Sequence, residues 1–443
     1  MMFLNLGNKI KKIYTDKPVL YSLVGTCWRV LFAPISLYLV ALKLSPEQLG
    51  IYYIFFSIAG LQSIIEAGFS HTIIQSISHE MHSVKFENHR LIGNVDNIDR
   101  ISQSMRLGFT WFFIVAASCI IFVLPIGYFI INSQSHVISQ NYWLLPWVIF
   151  IFFFSANLLL YPVNFFFEGI LHLEEIYRNR LIIQIISSLL FIAALLMNMG
   201  IYVVSIASMV SLFINLTVLF IPNFTQFKEF LHFPKKQYFK SVFKWQAKIS
   251  IVWCTGYLYW QLPSVIIFSL LGPVISGQYG FTINIINAIT NIGQIFVRTK
   301  NAIIGKLRAE GNFVEAYAIF RLNSKYSYSF IILGFASLCL LWILFPHIII
   351  WKRMMPFVPS ILLMFAFGIN MITINQAMFA RCSKEEPYFV MSLFMNFVFP
   401  LVFYIFLLVV PNYWGIICPF ILIHIIGLIW STAVFKKLYN HWL

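Results

Sequence analysis

The chain has 443 residues, of which 60% are hydrophobic, 18% are aromatic and only 10% are charged. Soluble domains carry about 25% charged residues, so this composition excludes an ordinary soluble domain and predicts an integral membrane protein. The formal net charge of +15 would also suit a nucleic-acid-binding protein, but the topology derived below accounts for it without a nucleic-acid partner.

Twelve apolar stretches are long enough to cross a bilayer, because about 20 helical residues span ~30 Å of hydrocarbon. The basic N-terminal segment leads into the first stretch without a small-residue cleavage site, which favours a retained helix over a signal peptide. The predicted spans, numbered in chain order, cover residues 18–40, 49–70, 106–131, 143–167, 181–199, 201–221, 247–270, 278–298, 326–348, 357–380, 388–410 and 413–435. Only "MNMG" separates the fifth from the sixth.

Basic residues follow this topology closely. Twelve spans put both termini on one side, and 26 of the 30 Lys and Arg residues lie on that side. The opposite loops hold 3, and Arg29 lies inside span 1. Positive charge marks the cytoplasmic side, so both termini are predicted to be cytoplasmic. The outer loops are short, the longest being Asn132–Tyr142, which leaves no room there for a folded catalytic domain.

A nine-residue pattern occurs twice. "LSPEQLGIYY" begins at Leu44 and "LGPVISGQYG" begins at Leu271, and both fit Leu-x-Pro-x-x-x-Gly-x-Tyr. A second pair, "EEIY" from Glu174 and "EEPY" from Glu385, also relates span n to span n+6. Chance recurrence of Pro and Gly in membrane turns is the alternative. The repeat predicts an N-terminal lobe over 1–221, a cytoplasmic linker over 222–245 and a C-terminal lobe over 246–443.

The predicted fold class is therefore an all-α integral membrane protein, with about twelve transmembrane helices in two parallel six-helix repeats around a central cavity. Transporters built from parallel repeats bind their substrates at the interface of the repeats.

Polar side chains inside the spans predict that cavity, because burying charge in lipid is expensive. Arg29 is too deep in span 1 to reach an interface comfortably, and its placement costs ~3 kcal/mol or more without a partner or water. The predicted substrate-binding residues are Arg29, Glu66, Asn157, Asn164, Lys248, Tyr259, Asn284, Asn287, Asn291 and Arg298. Each has an alternative: amides join helices, long cations reach the interface, and Arg29 pairs with Glu66.

Motifs for several other chemistries are missing from the sequence. There is no G-x-x-x-x-G-K-[ST] loop, no CxxC pair among the six cysteines, and "HEMH" from His79 does not match HExxH. No nucleophile–base arrangement stands out. We therefore predict no catalytic residues, no metal and no bound cofactor, with coupling to a proton or sodium gradient left open.

Two long stretches carry a family resemblance. "LSPEQLGIYYIFFSIAGLQSIIEAGFSHTIIQ" (Leu44–Gln75) resembles the opening of bacterial polysaccharide flippases of the Wzx type, in the multidrug/oligosaccharidyl-lipid/polysaccharide exporter superfamily. "LYWQLPSVIIFSLLGPVISGQYGFTINIINAITNIGQIFVRTKNAIIGKLRAEGNFVEAYAIF" (Leu258–Phe320) is similar to their seventh and eighth spans and following inner loop. No motif-defined site carries over.

The resemblance implies a flippase of the bacterial inner membrane that acts by alternating access. It would move undecaprenyl-diphosphate-linked oligosaccharide to the periplasmic leaflet for O-antigen, lipopolysaccharide or capsule synthesis. Its implied partners are that lipid-linked oligosaccharide, membrane lipids, and a polysaccharide polymerase with its chain-length regulator. The alternatives are a cation-coupled multidrug exporter of the same superfamily and a polytopic polysaccharide polymerase.

Overall fold

The computed structural model describes residues 17–66, 68–87, 90–134, 137–232, 250–251, 254–382 and 387–442. Two compact units divide the chain. Unit 1 is Met1–Leu44 with Ile58–Cys254, and unit 2 is Ser45–Ser57 with Thr255–Leu443. Lys248 and most of the predicted linker lie outside the described residues, so the predicted domain boundaries stay a prediction.

Unit 1 holds spans 1 and 3–6 and the inner part of span 2. Its helices are Lys17–Lys43, Gln62–Glu66, Phe69–Glu80, Val95–Ser118, Leu124–Asn132, Gln140–Leu159, Tyr161–Gly169, Leu173–Leu196, Val204–Ile214 and Phe224–Phe230. Short 3₁₀ turns occupy Met81–Ser83 and Gly200–Val203, and π-helical turns Cys119–Val123 and Asn215–Phe220 continue spans 3 and 6. Helices dominate because every backbone polar group in hydrocarbon needs an internal partner.

Unit 2 holds the outer part of span 2 and the described parts of spans 7–12. Its helices are Pro46–Ala59 (as far as Ser57), Leu262–Arg298, Asn301–Ala309, Phe313–Leu344, Ile349–Arg353, Phe357–Arg381, Phe389–Val409 and Tyr413–Trp442. The predicted span boundaries agree with these helices to within a few residues at most ends. Spans 3, 5, 9 and 12 are the exceptions, since each helix extends at least seven residues past the apolar stretch at one end.

One structural element departs from the sequence prediction. The strands Val84–Glu87 and Arg90–Gly93 pair antiparallel in the loop between spans 2 and 3. Phe86 anchors the hairpin, with its ring centroid 5.4 Å from that of Phe166 and 5.5 Å from that of His172. The loop was predicted only as a basic inner segment, because four-residue strands leave too short an alternation to recognise.

Eleven continuous apolar helical stretches are found in the described residues, against twelve predicted spans. The difference lies in Cys254–Arg308, which runs for 55 residues. At 1.5 Å per residue such a helix would be about 80 Å long, far beyond a bilayer. Its backbone leaves the helical region at Gly272, with φ 84° and ψ 176°, so this stretch comprises spans 7 and 8. The fold class predicted from the sequence is confirmed: an all-helical multi-pass membrane protein with about twelve spans.

Both copies of the repeated pattern start a helix. In the first, Ser45 Oγ accepts from Gln48 N at 3.2 Å while Gln48 Oε1 accepts from Ser45 N at 3.1 Å, a reciprocal cap. In the second, Gly272 adopts a left-handed φ that favours glycine. A proline follows in each case, and its fixed φ suits the first turn of a helix.

Within unit 2 the two copies of the pattern also touch. A Cβ added at Gly277 would lie 2.7 Å from Gly50 N, and one added at Gly50 would overlap the carbonyl oxygen of Pro273. A Cβ at Gly280 would lie 2.5 Å from the Tyr53 ring. Gly50 and Gly277 hold the same position in the two copies. Small residues allow this close backbone approach, as in other membrane helix pairs.

Replacing Gly50 or Gly277 with Ala is expected to lower the free energy of unfolding by about 1–3 kcal/mol, because the new methyl group must displace backbone atoms. Thermal unfolding of the purified protein in detergent measures the loss. Gly256→Ala is the matched control, since a Cβ there meets no atom within 4 Å. Unfolding temperatures of all three variants equal to that of the unsubstituted protein would contradict the crossing.

Candidate functional site

A ladder of polar side chains lies along one face of span 8 in unit 2. Its members are Asn284, Asn287, Asn291, Gln294 and Arg298, each exposed or half-buried. The opposite face is buried and carries Phe281, Ile285, Ile286, Gly293 and Val297. Successive ladder residues are three or four apart, so they share one helical face. We call this set the span 8 ladder.

Only some of the polar groups in the span 8 ladder are hydrogen-bonded to other protein groups. Asn284 Nδ2 donates weakly to the Tyr53 hydroxyl at 3.5 Å. At the other end, an Arg298 NH₂ group donates to Gln294 Oε1 at 3.0 Å. An amide or guanidinium exposed within a span faces either lipid or water, and facing lipid would cost several kcal/mol. The ladder therefore requires an aqueous or polar surrounding.

Arg29 lies on the exposed side of span 1 in unit 1. The other side of this helix packs on span 5, where Trp28 Nε1 donates to Ser188 Oγ at 2.8 Å and Gln184 Nε2 donates to the Gly25 carbonyl at 2.8 Å. These bonds fix the rotation of span 1 about its axis, and the Arg29 side chain stays exposed. Among the described residues no ion pair joins Arg29 to Glu66, so the predicted pairing is absent from this conformation.

Glu66 belongs to a separate polar group in unit 1. Its Oε2 accepts from Gln62 Nε2 at 2.9 Å, and its carbonyl accepts from Trp111 Nε1 at 3.3 Å. Tyr161 of span 4 is close enough to interact with the charge of Glu66. The Glu66 side chain is half-buried and holds the hydrogen bond from Gln62 within unit 1.

Asn157 takes part in helix packing. Its Oδ1 accepts from Ser211 Oγ at 3.1 Å, Ser211 accepts from Asn215 Nδ2 at 3.2 Å, and Asn179 Nδ2 donates to Asn215 Oδ1 at 2.8 Å. This buried chain of bonds joins spans 4, 5 and 6, as interhelical amides commonly do. Asn164 is half-buried, and its Nδ2 reaches the Leu160 carbonyl of its own helix at 3.5 Å.

Tyr259 is also committed to packing, in unit 2. Its hydroxyl and His424 Nε2 are 2.5 Å apart, and its ring centroid lies 4.9 Å from that of Phe399. His424 itself is only 3% exposed. Lys248, the last predicted site residue, lies outside the described residues. The structure thus places the span 8 ladder on one surface, and Arg29 and Glu66 in two other places.

Several functional-looking residues were missed by the sequence analysis. Asn179 and Asn215 complete the hydrogen-bond network of Asn157. Because they lie on different helices, the sequence does not show that the two meet until the helices are paired. Arg308 is buried and donates to the Phe379 carbonyl at 2.8 Å, with its guanidinium 5.0 Å from the Phe379 ring centroid. It caps the end of span 10.

Outside the membrane, Lys17 joins the start of span 1 to the start of span 5. Its Nζ lies 3.0 Å from Glu174 Oε1. The hydrogen bond and the negative charge of Glu174 raise the pKa of Lys17 above its ordinary value. Both side chains are well exposed, so the pair contributes little stability.

No family model and no curated protein sequence matches this chain. Solved structures do. An inward-facing multidrug resistance MATE family transporter of the MOP superfamily matches with a TM-score of 0.63 at 14% identity, over 93% of this chain and 96% of that chain. A MATE structure in the bent conformation matches with a TM-score of 0.52 at 14% identity, over 96% and 97% of the two chains.

The chain has the fold of these transporters. A third match is a MOP superfamily transporter from Pyrococcus furiosus Vc1 (DSM3638), described as having a binding pocket of reverse polarity that suggests a different function. Its TM-score is 0.51 at 14% identity, over 95% of this chain and 94% of that chain. At this identity the similarity establishes the fold alone, and the cargo must be inferred from the side chains.

Cysteines placed on the span 8 ladder are expected to react with a charged thiol reagent supplied on both sides of the membrane, because thiolates form only in water. Asn284→Cys and Asn291→Cys, each in a cysteine-free background, are compared with Leu333→Cys in span 9, where the native side chain is 66% exposed. We expect both ladder positions to be labelled and Leu333→Cys to stay unlabelled. Equal labelling at all three positions, or none at the ladder, would contradict an aqueous ladder.

Proposed function

We propose that this chain is an alternating-access flippase for undecaprenyl-diphosphate-linked oligosaccharide in the bacterial inner membrane. The observation that carries the proposal is the span 8 ladder, an exposed row of amides ending in Arg298. Each carboxamide both donates and accepts hydrogen bonds, as a sugar hydroxyl requires. Each hydroxyl taken from water without a partner costs several kcal/mol, so a row of such groups lowers the barrier to crossing.

The charge of the exposed residues favours an anionic cargo. Arg298 in unit 2 and Arg29 in unit 1 are exposed within or at the ends of spans, and a guanidinium binds phosphate oxygens through paired hydrogen bonds. A diphosphate is the charged part of the proposed substrate. A cationic drug would instead favour acidic side chains, of which Glu66 is the principal one in the predicted site.

Orientation and coupling complete the proposal. The positive-inside bias favours cytoplasmic termini, so the proposal has loading at the cytoplasmic leaflet and release at the periplasmic leaflet. Glu66 is the proposed proton or sodium site, since its half-buried carboxylate keeps a hydrogen bond from Gln62. The polymerase and chain-length regulator implied by the resemblance would act on the product after release.

Multidrug export is the second candidate, and one observation favours it directly. The solved structures that match this fold include a multidrug resistance MATE transporter with the TM-score of 0.63. Structural similarity alone therefore supports multidrug export better than it supports polysaccharide flipping. The carboxamides and the positive charge of the span 8 ladder favour polysaccharide flipping instead. The two functions differ in what a strain lacking this protein accumulates.

A strain lacking this protein is expected to accumulate lipid-linked oligosaccharide and to lose surface polysaccharide. Arg298→Ala should restore about 10–100-fold less transport than the unsubstituted protein, because a hydrogen bond to a charged group contributes ~1.5–3 kcal/mol. Lys306→Ala is the control, since it removes a cation of the same inner region that is 77% exposed. Surface polysaccharide, lipid-linked pools and protein level are measured together.

Two results would contradict the flippase. One is an unchanged pool of lipid-linked oligosaccharide with increased retention of cationic dyes, which would support multidrug export. The other is full restoration by Arg298→Ala at normal protein level, which would remove the ladder from the transport path.

A further inference from the structure

A second polar pocket lies in unit 2, away from the span 8 ladder. It is a cavity of about 320 Å³ lined by spans 9, 10 and 12. It lies where span 9 begins and span 12 ends, at the end of the unit that the positive-inside bias predicts to be cytoplasmic. We call it the inner pocket. None of the residues predicted to bind cargo lines it.

Three cations line the inner pocket. Arg321 and Lys325 are one turn apart on span 9, and Lys436 approaches from span 12. All three are exposed, and none forms an ion pair in the part of the chain that the structure describes. The lining residues include no carboxylate. Like charges held this close repel one another, so the arrangement favours binding of an anion.

A buried polar atom points to a ligand as well. The Oε1 of Gln376 is buried without a hydrogen bond of normal geometry in the described chain, whereas Ser324, only 4% exposed, has the Tyr328 side chain as its hydrogen-bond partner. Both residues line the inner pocket, and the Tyr328 hydroxyl lies beside Ser324. Buried polar atoms in proteins almost always have partners. A ligand with hydroxyl groups would satisfy the Gln376 oxygen as a donor.

An aromatic wall closes the other side. Tyr317 and Tyr439 have ring centroids 4.7 Å apart, and Phe320 and Phe435 have theirs 5.7 Å apart. Phe320 and Phe435 belong to a buried cluster with Phe379, so the wall is held rigidly. Tyrosine side chains favour the level of lipid headgroups, and the apolar wall suits the glycerol backbone of a lipid.

We propose that the inner pocket binds the headgroup of an anionic glycerophospholipid, with the phosphate on Arg321, Lys325 and Lys436 and a headgroup hydroxyl on Gln376. Basic pockets between spans on the cytoplasmic side are the usual sites of such lipids. The lipid would neutralise the three cations and tie span 12 to spans 9 and 10. The proposal is independent of the cargo, because it uses none of the residues assigned to transport.

The test uses the purified full-length chain in detergent, with native mass spectrometry as the readout. Phosphatidylglycerol, phosphatidylethanolamine and inorganic phosphate are the three probes. The unsubstituted protein should bind phosphatidylglycerol in preference to phosphatidylethanolamine. The combined variant Arg321→Gln, Lys325→Gln, Lys436→Gln should bind phosphatidylglycerol about 100-fold more weakly, as expected for three cations near a headgroup.

The matched control is Lys228→Gln, Lys306→Gln, Lys437→Gln, which removes the same charge from the same predicted side and should change affinity less than about twofold. If the combined variant does not fold, Lys436→Gln and Gln376→Leu are measured singly, each with an expected loss of about fivefold.

Three results would overturn the proposal. Equal binding of the two lipids would show no anionic preference. Equal losses in the test and control variants would show a diffuse charge effect rather than a pocket. Displacement of phosphatidylglycerol by millimolar inorganic phosphate, with phosphate binding as tightly as the lipid, would identify a free-anion site instead.

Discussion

The cost of placing a polar group in hydrocarbon governs this structure. Every polar side chain in a span must be bonded to another helix, reach the interface, or face water. The three outcomes all occur here. Asn157 is hydrogen-bonded to Ser211 of another helix. Glu168, at the end of span 4, forms an ion pair with Arg180 at 2.7 Å. The span 8 ladder stays exposed or half-buried. Sorting the polar residues in this way leaves the ladder in unit 2, and Arg29 and Glu66 in unit 1, as the candidate residues of the proposed function.

The same constraint explains the repeated nine-residue pattern. A helix that ends in or near lipid must satisfy its free backbone groups, and the first copy of the pattern does so through the Ser45 cap. The second copy bends the chain at Gly272. The pattern thus marks the start of a helix in both halves of the chain, and its glycines let the two helix starts cross within unit 2.

Sequence reasoning predicts the fold well, because hydropathy and charge asymmetry follow directly from the bilayer. The span count, most of the span limits and the break between spans 7 and 8 could be derived. Helix rotation and pairing could not. Asn157 and Asn291 are both amides within an apolar span of the sequence. In the structure Asn157 is buried and accepts a hydrogen bond from Ser211, whereas Asn291 is exposed. Arg308, which follows span 8 in the chain, caps the end of span 10. Those outcomes depend on tertiary contacts with no local pattern.

The central claim is that the exposed ladder carries an anionic, sugar-bearing lipid across the membrane. Reconstitution of the purified protein in liposomes tests it most directly, with a membrane-impermeant glycosidase reporting how fast inner-leaflet undecaprenyl-diphosphate oligosaccharide reaches the outer leaflet. The account predicts faster exposure than in empty liposomes, and a slower rate for Asn291→Leu. A rate equal to that of empty liposomes, together with stimulated transport of a cationic dye, would contradict it.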